Sequence, residues 1–264
     1  MNFTNTWTGN WENAITGMRH PLESYDKSDS LFGIGDNDVW LNETADEVAC
    51  SYIENWTDER VDPNREALKE NLIANGCLRY GKYAGEYAFI GSNDLKLAQR
   101  LIKAGTPNDK FLRQIFVSVD ITAPLYWWKE MDQYRVGCTT NSTSTMHKLA
   151  STPITIDCFE IDDYNISCCL DIVNRDYDFI SDDLIPFLEN LRKKYLETKD
   201  IRYWKELIRW LPESWLQTRT WTANYSVLRN IYHWRKGHKL SEWKTFCDWI
   251  EGLPYTNELI LFEN

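Results

Sequence analysis

A periodic run of large side chains after Pro212 constrains the fold of this chain more than any other feature. Proline interrupts a helix, so a new element must begin beyond it. Downstream of this proline, aromatic, aliphatic and basic residues recur at spacings of four and three, which would place them on one helical face. These residues are Trp221, Tyr225, Leu228, Tyr232 and Arg235. The pattern predicts a long helix from about Trp221 to Lys236.

Two polar residues of this predicted helix, Asn224 and Arg235, carry groups that suit a nucleotide base. They are eleven positions apart. At roughly 100° per residue, their side chains would point within about 20° of each other. Asn offers both a donor and an acceptor to a base edge, and Arg offers a planar fork of donors. The pair could contact a uracil or a flavin ring, or it could belong to an amphipathic core helix whose polar residues are solvated or internal.

Other segments predict a mixture of helices and strands. Residues 19–42 are rich in Asp, Ser and Gly, which favours a loop. A strand is predicted at 113–123, where β-branched residues alternate, and a second strand at 153–161. Further helices are predicted from Asp62 to Gly76, from about Ser92 to Lys103, from Pro124 to Arg135, after Asp183 to about Thr198, after Asp200 to Leu211, and from Ser241 to Ile250. The fold class is therefore α+β, with helix in the majority.

Charge and aromatic content limit the partners of this chain. Its 264 residues carry a net charge of −11, whereas a protein that binds polymeric nucleic acid usually has a basic footprint. We therefore expect no polymeric nucleic acid as a partner, while a small anionic nucleotide needs only a few local donors. The 13 tryptophans suit either a Trp-rich core or an interface, because indole combines a large apolar area with a polar N–H.

The cysteines indicate neither a disulfide framework nor a zinc site. There are seven, an odd number, and no two of them are spaced as CxxC. Cys168 and Cys169 lie in an apolar run and are expected to be buried thiols. No apolar segment reaches the length of a membrane span, and no basic leader precedes one. We expect a cytoplasmic protein with no metal ion and no membrane contact.

The C-terminal part contains a motif with fixed intervals: Leu211-Pro212, Trp221-Thr222-Ala223-Asn224, Asn230 and Arg235. This motif resembles the C-terminal half of the flavin-dependent thymidylate synthase family. In that family the two Asn residues and the Arg face the flavin ring and the base of deoxyuridylate. The resemblance implies catalytic roles for Asn230 and Arg235, cofactor contacts for Asn224 and Asn230, and a substrate contact for Arg235.

A second stretch keeps the spacing of the same family. Phe116 leads a strand, Pro124 follows, and Arg135 comes eleven residues after that proline. The family has an Arg-His-Arg tripeptide at this place, and here the tripeptide is Gln133-Tyr134-Arg135. The resemblance implies that all three of these residues contact the cofactor.

The segment that binds phosphate in the family has changed here. The family's Asn-Glu-x-Ser-x-Arg corresponds to residues 140–145, so Thr145 replaces an Arg that would grip the nucleotide phosphate. The resemblance implies substrate contacts from four residues of this region: Asn141, Thr143, Thr145 and His147. Lys129, Lys148 and Arg229 are candidates to replace the lost positive charge. A polar loop is the alternative for the hydroxyl-rich run.

The resemblance further implies a single domain over residues 1–264, helix-rich with a central antiparallel sheet. Residues 92–250 would form its family-like core, and 1–90 a more irregular part. The implied activity is that of an FAD flavoprotein methyltransferase of nucleotide biosynthesis. It would convert dUMP to dTMP with methylenetetrahydrofolate and NADPH, at sites between subunits of a homotetramer. Two alternatives stay open: a nucleotide-binding or scaffold protein without FAD chemistry, and a different pyrimidine-modifying enzyme.

Overall fold

The computed structural model describes residues 1–35, 85–162 and 178–263. The strands in this part are β1 (Asn2–Gly9), β2 (Leu31–Gly35), β3 (Gly85–Phe89), β4 (Phe116–Pro124), β5 (Thr139–Ser142) and β6 (Leu216–Asn224). The helices are α1 (Trp11–Arg19), α2 (Ser92–Ala104), α3 (Leu125–Met131), α4 (Ile185–Thr198), α5 (Ile201–Arg209), α6 (Tyr225–Arg235) and α7 (Ser241–Glu251). The predicted helix 62–76 and the apolar run with Cys168 and Cys169 lie outside the described residues.

A four-stranded sheet has the strand order β1-β4-β6-β5, and β2 pairs with β3 in a separate antiparallel sheet. Hydroxyl pairs on facing side chains bridge β4 and β6. Ser118 and Thr222 lie 3.0 Å apart, and Thr122 and Thr218 lie 2.7 Å apart. Because the residue number of the partner on β6 falls as the residue number on β4 rises, these two strands are antiparallel. The predicted α+β class with an antiparallel sheet is confirmed.

Strand β6 occupies the segment that was predicted to start the long helix, and α6 begins only at Tyr225. Burial alternates along β6: the buried side chains at odd positions are Gln217, Trp221 and Ala223, and threonines occupy positions 218, 220 and 222. This alternation and the β-branched threonines favour a strand. The prediction of helix from Trp221 is therefore wrong, because the four-residue step from Trp221 to Tyr225 crosses a strand–helix junction.

Several other boundaries differ from the predictions. The predicted strand at 153–161 is wrong: Ile156–Cys158 form a 3₁₀ turn, and only a single bridge joins Phe159 to Trp215. The helix after Pro124 ends at Met131 rather than Arg135. Near the N-terminus, Asn2–Gly9 form β1 and Trp11–Arg19 form α1; the expectation that residues 1–90 are more irregular than the rest stays a prediction. The predicted helices near 92–103, 183–198, 200–211 and 241–250 are confirmed as α2, α4, α5 and α7.

Contacts within the chain group it into two compact units. The first unit comprises Met1–Asn2, Ile121–Gln133 and Thr140–Thr220, and the second comprises Phe3–Asp120, Tyr134–Thr139 and Trp221–Asn264. The chain passes between the units within β1, β4, β5 and β6, and once more between Gln133 and Tyr134. The single-domain organisation stays a prediction.

The first unit has an aliphatic core on which α4 and α5 pack. Leu188 of α4 and Leu207 of α5 are completely buried. They join Leu149, Ala150, Ile154, Phe159 and Ile180 in one cluster. Asp200 caps α5 by accepting a hydrogen bond from the Arg202 backbone N–H at 2.9 Å, as expected for a residue placed directly before a helix.

The core of the second unit is aromatic. The Trp11 ring meets Tyr225 edge-on at 5.2 Å, and Phe246 meets both Trp221 and Trp243 in the same way. Such edge-to-face pairs add to the free energy of burying the rings. Tryptophan therefore contributes to the core, which agrees with the first of the two interpretations of its abundance, a Trp-rich core.

Candidate functional site

Arg235, in the last turn of α6, is held by aromatic side chains. Its Nε donates a hydrogen bond to the Tyr134 hydroxyl at 2.8 Å. Its guanidinium carbon lies 4.3 Å from the centroid of the Trp243 ring and 5.5 Å from that of Tyr134. His238 also packs edge-on against Trp243. A cation over an aromatic face is attracted by the ring quadrupole, so these contacts fix the plane of the guanidinium.

Asn224 ends β6 and caps α6. Its Oδ1 accepts a hydrogen bond from the Val227 backbone N–H at 3.1 Å, and its backbone is extended, with φ −143° and ψ 168°. Because Asn224 precedes the helix, the argument that it shares a helical face with Arg235 is wrong. The carboxamide oxygen of Asn224 accepts a hydrogen bond from a helix N–H. The Nδ2 group at the other end of the carboxamide is a hydrogen-bond donor.

Gly137 brings the segment after the predicted cofactor tripeptide against the start of α6. Its φ is +77°, in the left-handed region. A Cβ at this position would lie 3.1 Å from the Asn224 Nδ2 and 3.2 Å from the Val227 side chain. A glycine therefore suits both the backbone conformation and the close approach. The segment Tyr134–Gly137 therefore reaches both ends of α6, with Gly137 beside Asn224 and Tyr134 beside Arg235.

Cys138 follows directly and is not suited to act as a nucleophile. Burial raises the pKa of its thiol to about 11, although a hydrogen bond with Trp221 opposes this shift. Cys247 on α7 behaves in the same way, with burial raising its thiol pKa to about 11. Since the thiolate is the reactive form, neither cysteine favours covalent catalysis near neutral pH.

Asn230 and Arg135, the remaining predicted residues of the second unit, have exposed side chains. Asn230 lies in the middle of α6, and Arg135 lies next to Tyr134. Their contact with a cofactor stays a prediction.

The other predicted residues belong to the first unit. Thr143 lies just beyond β5, where its backbone N–H donates to the Thr218 carbonyl at 2.9 Å and its carbonyl accepts from Gln217 Nε2 at 2.8 Å. The His147 backbone N–H donates to the Ser144 hydroxyl at 3.0 Å. The predicted residues of this unit with exposed side chains are Gln133, Asn141, Thr143 and His147, whereas Thr145 is half-buried. The segment therefore presents amide, hydroxyl and imidazole groups to solvent.

No protein-family profile and no curated protein sequence matches this chain. Two solved structures of the flavin-dependent thymidylate synthase ThyX from Helicobacter pylori, both with FAD and dUMP, superpose with a TM-score of 0.56 at 14% identity. The alignments cover 98% of this chain and 98% and 97% of the two ThyX chains. The chain has the flavin-dependent thymidylate synthase fold.

On this thymidylate synthase fold, two of the three basic residues expected to replace the lost Arg are already engaged. Lys129 pairs with the carboxylate of Glu213. Arg229 Nη1 donates to the Ile260 carbonyl at 2.6 Å and to the Leu259 carbonyl at 3.4 Å. Burial lowers the pKa of the Arg229 guanidinium. Arg229 therefore stabilises the end of the C-terminal turn rather than an exposed phosphate site.

Sequence reasoning missed Arg219 of β6. Its guanidinium carbon lies 4.3 Å from the Trp128 ring centroid, its Nη1 donates to Asp132 at 2.7 Å, and its Nε donates to Gln217 at 3.0 Å. An assignment of residues 216–224 as strand would have indicated this neighbourhood, since side chains two apart share a face of a strand. The role of Trp243 as a support for Arg235 was missed as well.

The described part of the chain contains neither a candidate metal site nor a candidate membrane span. Within residues 1–35, 85–162 and 178–263, no group of His, Cys, Asp or Glu side chains could hold a metal ion. In the same ranges no helix is long and apolar enough to cross a membrane.

Proposed function

We propose that this chain binds FAD and a pyrimidine deoxynucleotide, and that it methylates dUMP reductively to dTMP with methylenetetrahydrofolate and NADPH. The contact of Arg235 with Tyr134 supports this proposal most directly. It joins the residue assigned to substrate to one assigned to the cofactor, over 2.8 Å. The ThyX structures of the same fold contain both FAD and dUMP.

Arg235 would bind and polarise the base. A guanidinium donates charge-assisted hydrogen bonds, which are stronger than those of neutral donors. Aimed at a uracil carbonyl, it would stabilise negative charge that develops on that oxygen during the reaction. The Trp243 face and the Tyr134 hydroxyl hold it in one orientation, which lowers the cost of ordering the side chain when substrate binds.

The residues assigned to FAD have suitable chemistry. Asn224 keeps its Nδ2 donor while its Oδ1 caps α6, and a carboxamide N–H complements a carbonyl of the flavin pyrimidine ring. Asn230 and Arg135 are exposed and supply further donors. FAD itself would supply the redox chemistry. The residues of the chain would bind and orient the ring and exclude water from it.

We also propose that subunits of a homotetramer share these sites. This proposal rests on the resemblance of the motif at residues 211–235 to the thymidylate synthase family. Light scattering on the purified protein tests the assembly, and a monomeric protein that is fully active would contradict it.

A second candidate is a nucleotide-binding protein of this fold without FAD chemistry. It is favoured by the tripeptide assigned to the cofactor, where Gln133 and Tyr134 stand in place of the family's Arg and His. The loss of the phosphate Arg at Thr145, with Lys129 and Arg229 engaged elsewhere, favours a scaffold role instead, because hydroxyl donors bind phosphate more weakly than an Arg fork does.

One experiment separates the candidates. The purified chain is titrated with FAD, with dUMP, and with both, followed by flavin fluorescence and thermal unfolding. FAD binding, with dTMP formation once methylenetetrahydrofolate and NADPH are added, supports the first candidate. Stabilisation by dUMP without any FAD affinity rejects the first candidate and supports the second. Binding of both ligands without rescue of a thymidine-requiring strain would indicate a different pyrimidine-modifying reaction.

A further inference from the structure

A cavity of about 810 Å³ lies beside α2 in the second unit, and none of the candidate residues above lines it. Its walls come from the end of α1, the turn Tyr25–Lys27, one face of α2, and Phe262. Pockets that hold small molecules commonly have volumes of about 300–1,000 Å³. The cavity is therefore large enough for a nucleotide.

This cavity is basic although the whole chain carries a net charge of −11. Arg19 lines it, but Asp94 neutralises that guanidinium through an ion pair of 2.6 Å. Outside this pair, the basic lining residues are Lys27, Lys96, Arg100 and Lys103. Asp26 supplies the opposing carboxylate among the described lining residues. The local excess of positive charge would attract a polyanion.

Three of these cations form a stripe on α2. Lys96, Arg100 and Lys103 are spaced by four and three residues, so they lie on one helical face. In the described part of the chain, the side chains of Lys96 and Arg100 form no ion pair. Like charges at this spacing destabilise a helix. A bound polyanion would remove the repulsion.

The same cavity offers groups for a heterocyclic base. The Phe262 ring lies 5.3 Å from the Lys103 Nζ, measured to the ring centroid, and Leu97 adds apolar surface. The carboxamides of Asn93 and Gln99 supply donors and acceptors. An aromatic face stacks on a base, while neighbouring cations bind phosphate.

We propose that this cavity binds a nucleoside polyphosphate, with its phosphates on the Lys96–Lys103 stripe and its base against Phe262. The site is separate from the FAD and dUMP residues, so it does not depend on the proposed function.

Calorimetry on the full-length chain at low salt tests the proposal, using magnesium-free ATP, tripolyphosphate and adenosine as probes. ATP should bind more tightly than tripolyphosphate, which has no base, and than adenosine, which has no phosphate. The variant Lys96→Ala/Arg100→Ala should weaken ATP binding at least about tenfold, because two phosphate contacts are lost. The control Arg113→Ala/Lys205→Ala removes the same charge from exposed positions outside the cavity. It should change ATP affinity by less than about twofold.

Three results would overturn the proposal. The first is no ATP binding, or an equal loss in the cavity variant and in the control, with circular dichroism showing both folded. The second is tripolyphosphate binding as tightly as ATP, since that removes the role of the base. The third is displacement of ATP by FAD or dUMP, because the cavity would then belong to the flavin or substrate site. A failure of FAD to bind, with ATP binding intact, would reject only the proposed function.

Discussion

The Arg235 guanidinium lies 4.3 Å from the centroid of the Trp243 ring, and its Nε donates to the Tyr134 hydroxyl at 2.8 Å. The three side chains come from the end of α6, from α7 and from the segment after α3. An aromatic face and a hydrogen bond therefore restrain one cation from two directions. Such a cation needs little further ordering before it binds a base.

Removing the guanidinium should weaken nucleotide binding. Arg235→Ala is expected to reduce dUMP affinity by about 1.5–3 kcal/mol, the range for a charge-assisted hydrogen bond. Tyr134→Phe keeps the ring and loses only the hydroxyl contact, so its effect should be smaller. Calorimetric titration with dUMP measures both. Unchanged affinity in a folded Arg235→Ala protein would reject the assigned role.

Substitutions can distinguish the role of the Asn224 Oδ1 as a helix cap from the proposed role of its Nδ2 as a donor to the flavin. Asn224→Ala should lower the free energy of unfolding by about 0.5–2 kcal/mol through loss of the cap on α6. Asn224→Asp keeps the acceptor for the Val227 N–H and replaces the Nδ2 donor with oxygen. It should therefore retain stability and lose FAD affinity. Chemical denaturation and flavin fluorescence test this, and an Asp variant that binds FAD as well as wild type would show that Asn224 acts only as a cap.

Gly137 should resist substitution. Gly137→Ala is expected to cost about 1–2 kcal/mol, because its φ is +77° and the left-handed region is unfavourable for a residue with a Cβ. Gly237→Ala is the matched control, since a Cβ there meets nothing within 4 Å. Urea denaturation compares them. Equal stabilities of the two variants would mean that the segment beside Asn224 adjusts freely.

The Glu189 carboxylate should make stability depend on pH. Its hydrogen bond from Arg192 is the main cause that lowers its pKa below the usual range, and the Ile154 backbone N–H contributes as well. A lowered folded-state pKa gives stability that is present above the unfolded-state value and lost as the pH falls through the folded-state value. Glu189→Gln should thus be destabilising at pH 7, and the difference from wild type should shrink as the pH is lowered through the acidic range. A difference that is the same at all pH values would contradict this assignment.

The buried ion pair of Arg19 with Asp94 should be important for folding. Asp94 has no solvent exposure, and it also accepts hydrogen bonds from the Ser28 and Ser30 hydroxyls at 2.7 and 2.6 Å. Asp94→Asn leaves the Arg19 charge uncompensated, which should cost about 3–5 kcal/mol. For comparison, Asp248→Asn breaks an exposed pair with Lys244 and should change the free energy of unfolding little. Similar effects of the two substitutions in denaturation curves would contradict the difference in burial.

Local patterns predicted much of the fold. The alternation in 113–123 predicted β4, and Asp200 correctly predicted the start of α5. The predicted start of α6 was wrong because Trp221 fits both the helical period of about 3.6 residues and the strand period of about two. Only the pairing of its segment with β4 decides that it is a strand. Such long-range pairing is absent from a single local window.

The candidate site could be predicted only in part. The interval from Tyr134 to Arg235 gave no indication of their contact, which depends on how α6 packs. The support from Trp243 was missed for the same reason. The capping role of Asn224 follows from its place before a helix, and a correct boundary at Tyr225 would have predicted it.

A fluorescence titration of the purified full-length chain with FAD tests the central claim most directly. We predict saturable quenching of the flavin, with affinity reduced in Asn224→Asp and retained in Gly237→Ala. A chain that is folded by circular dichroism, yet shows no saturable FAD binding in the presence or absence of dUMP, would contradict the proposed flavin chemistry.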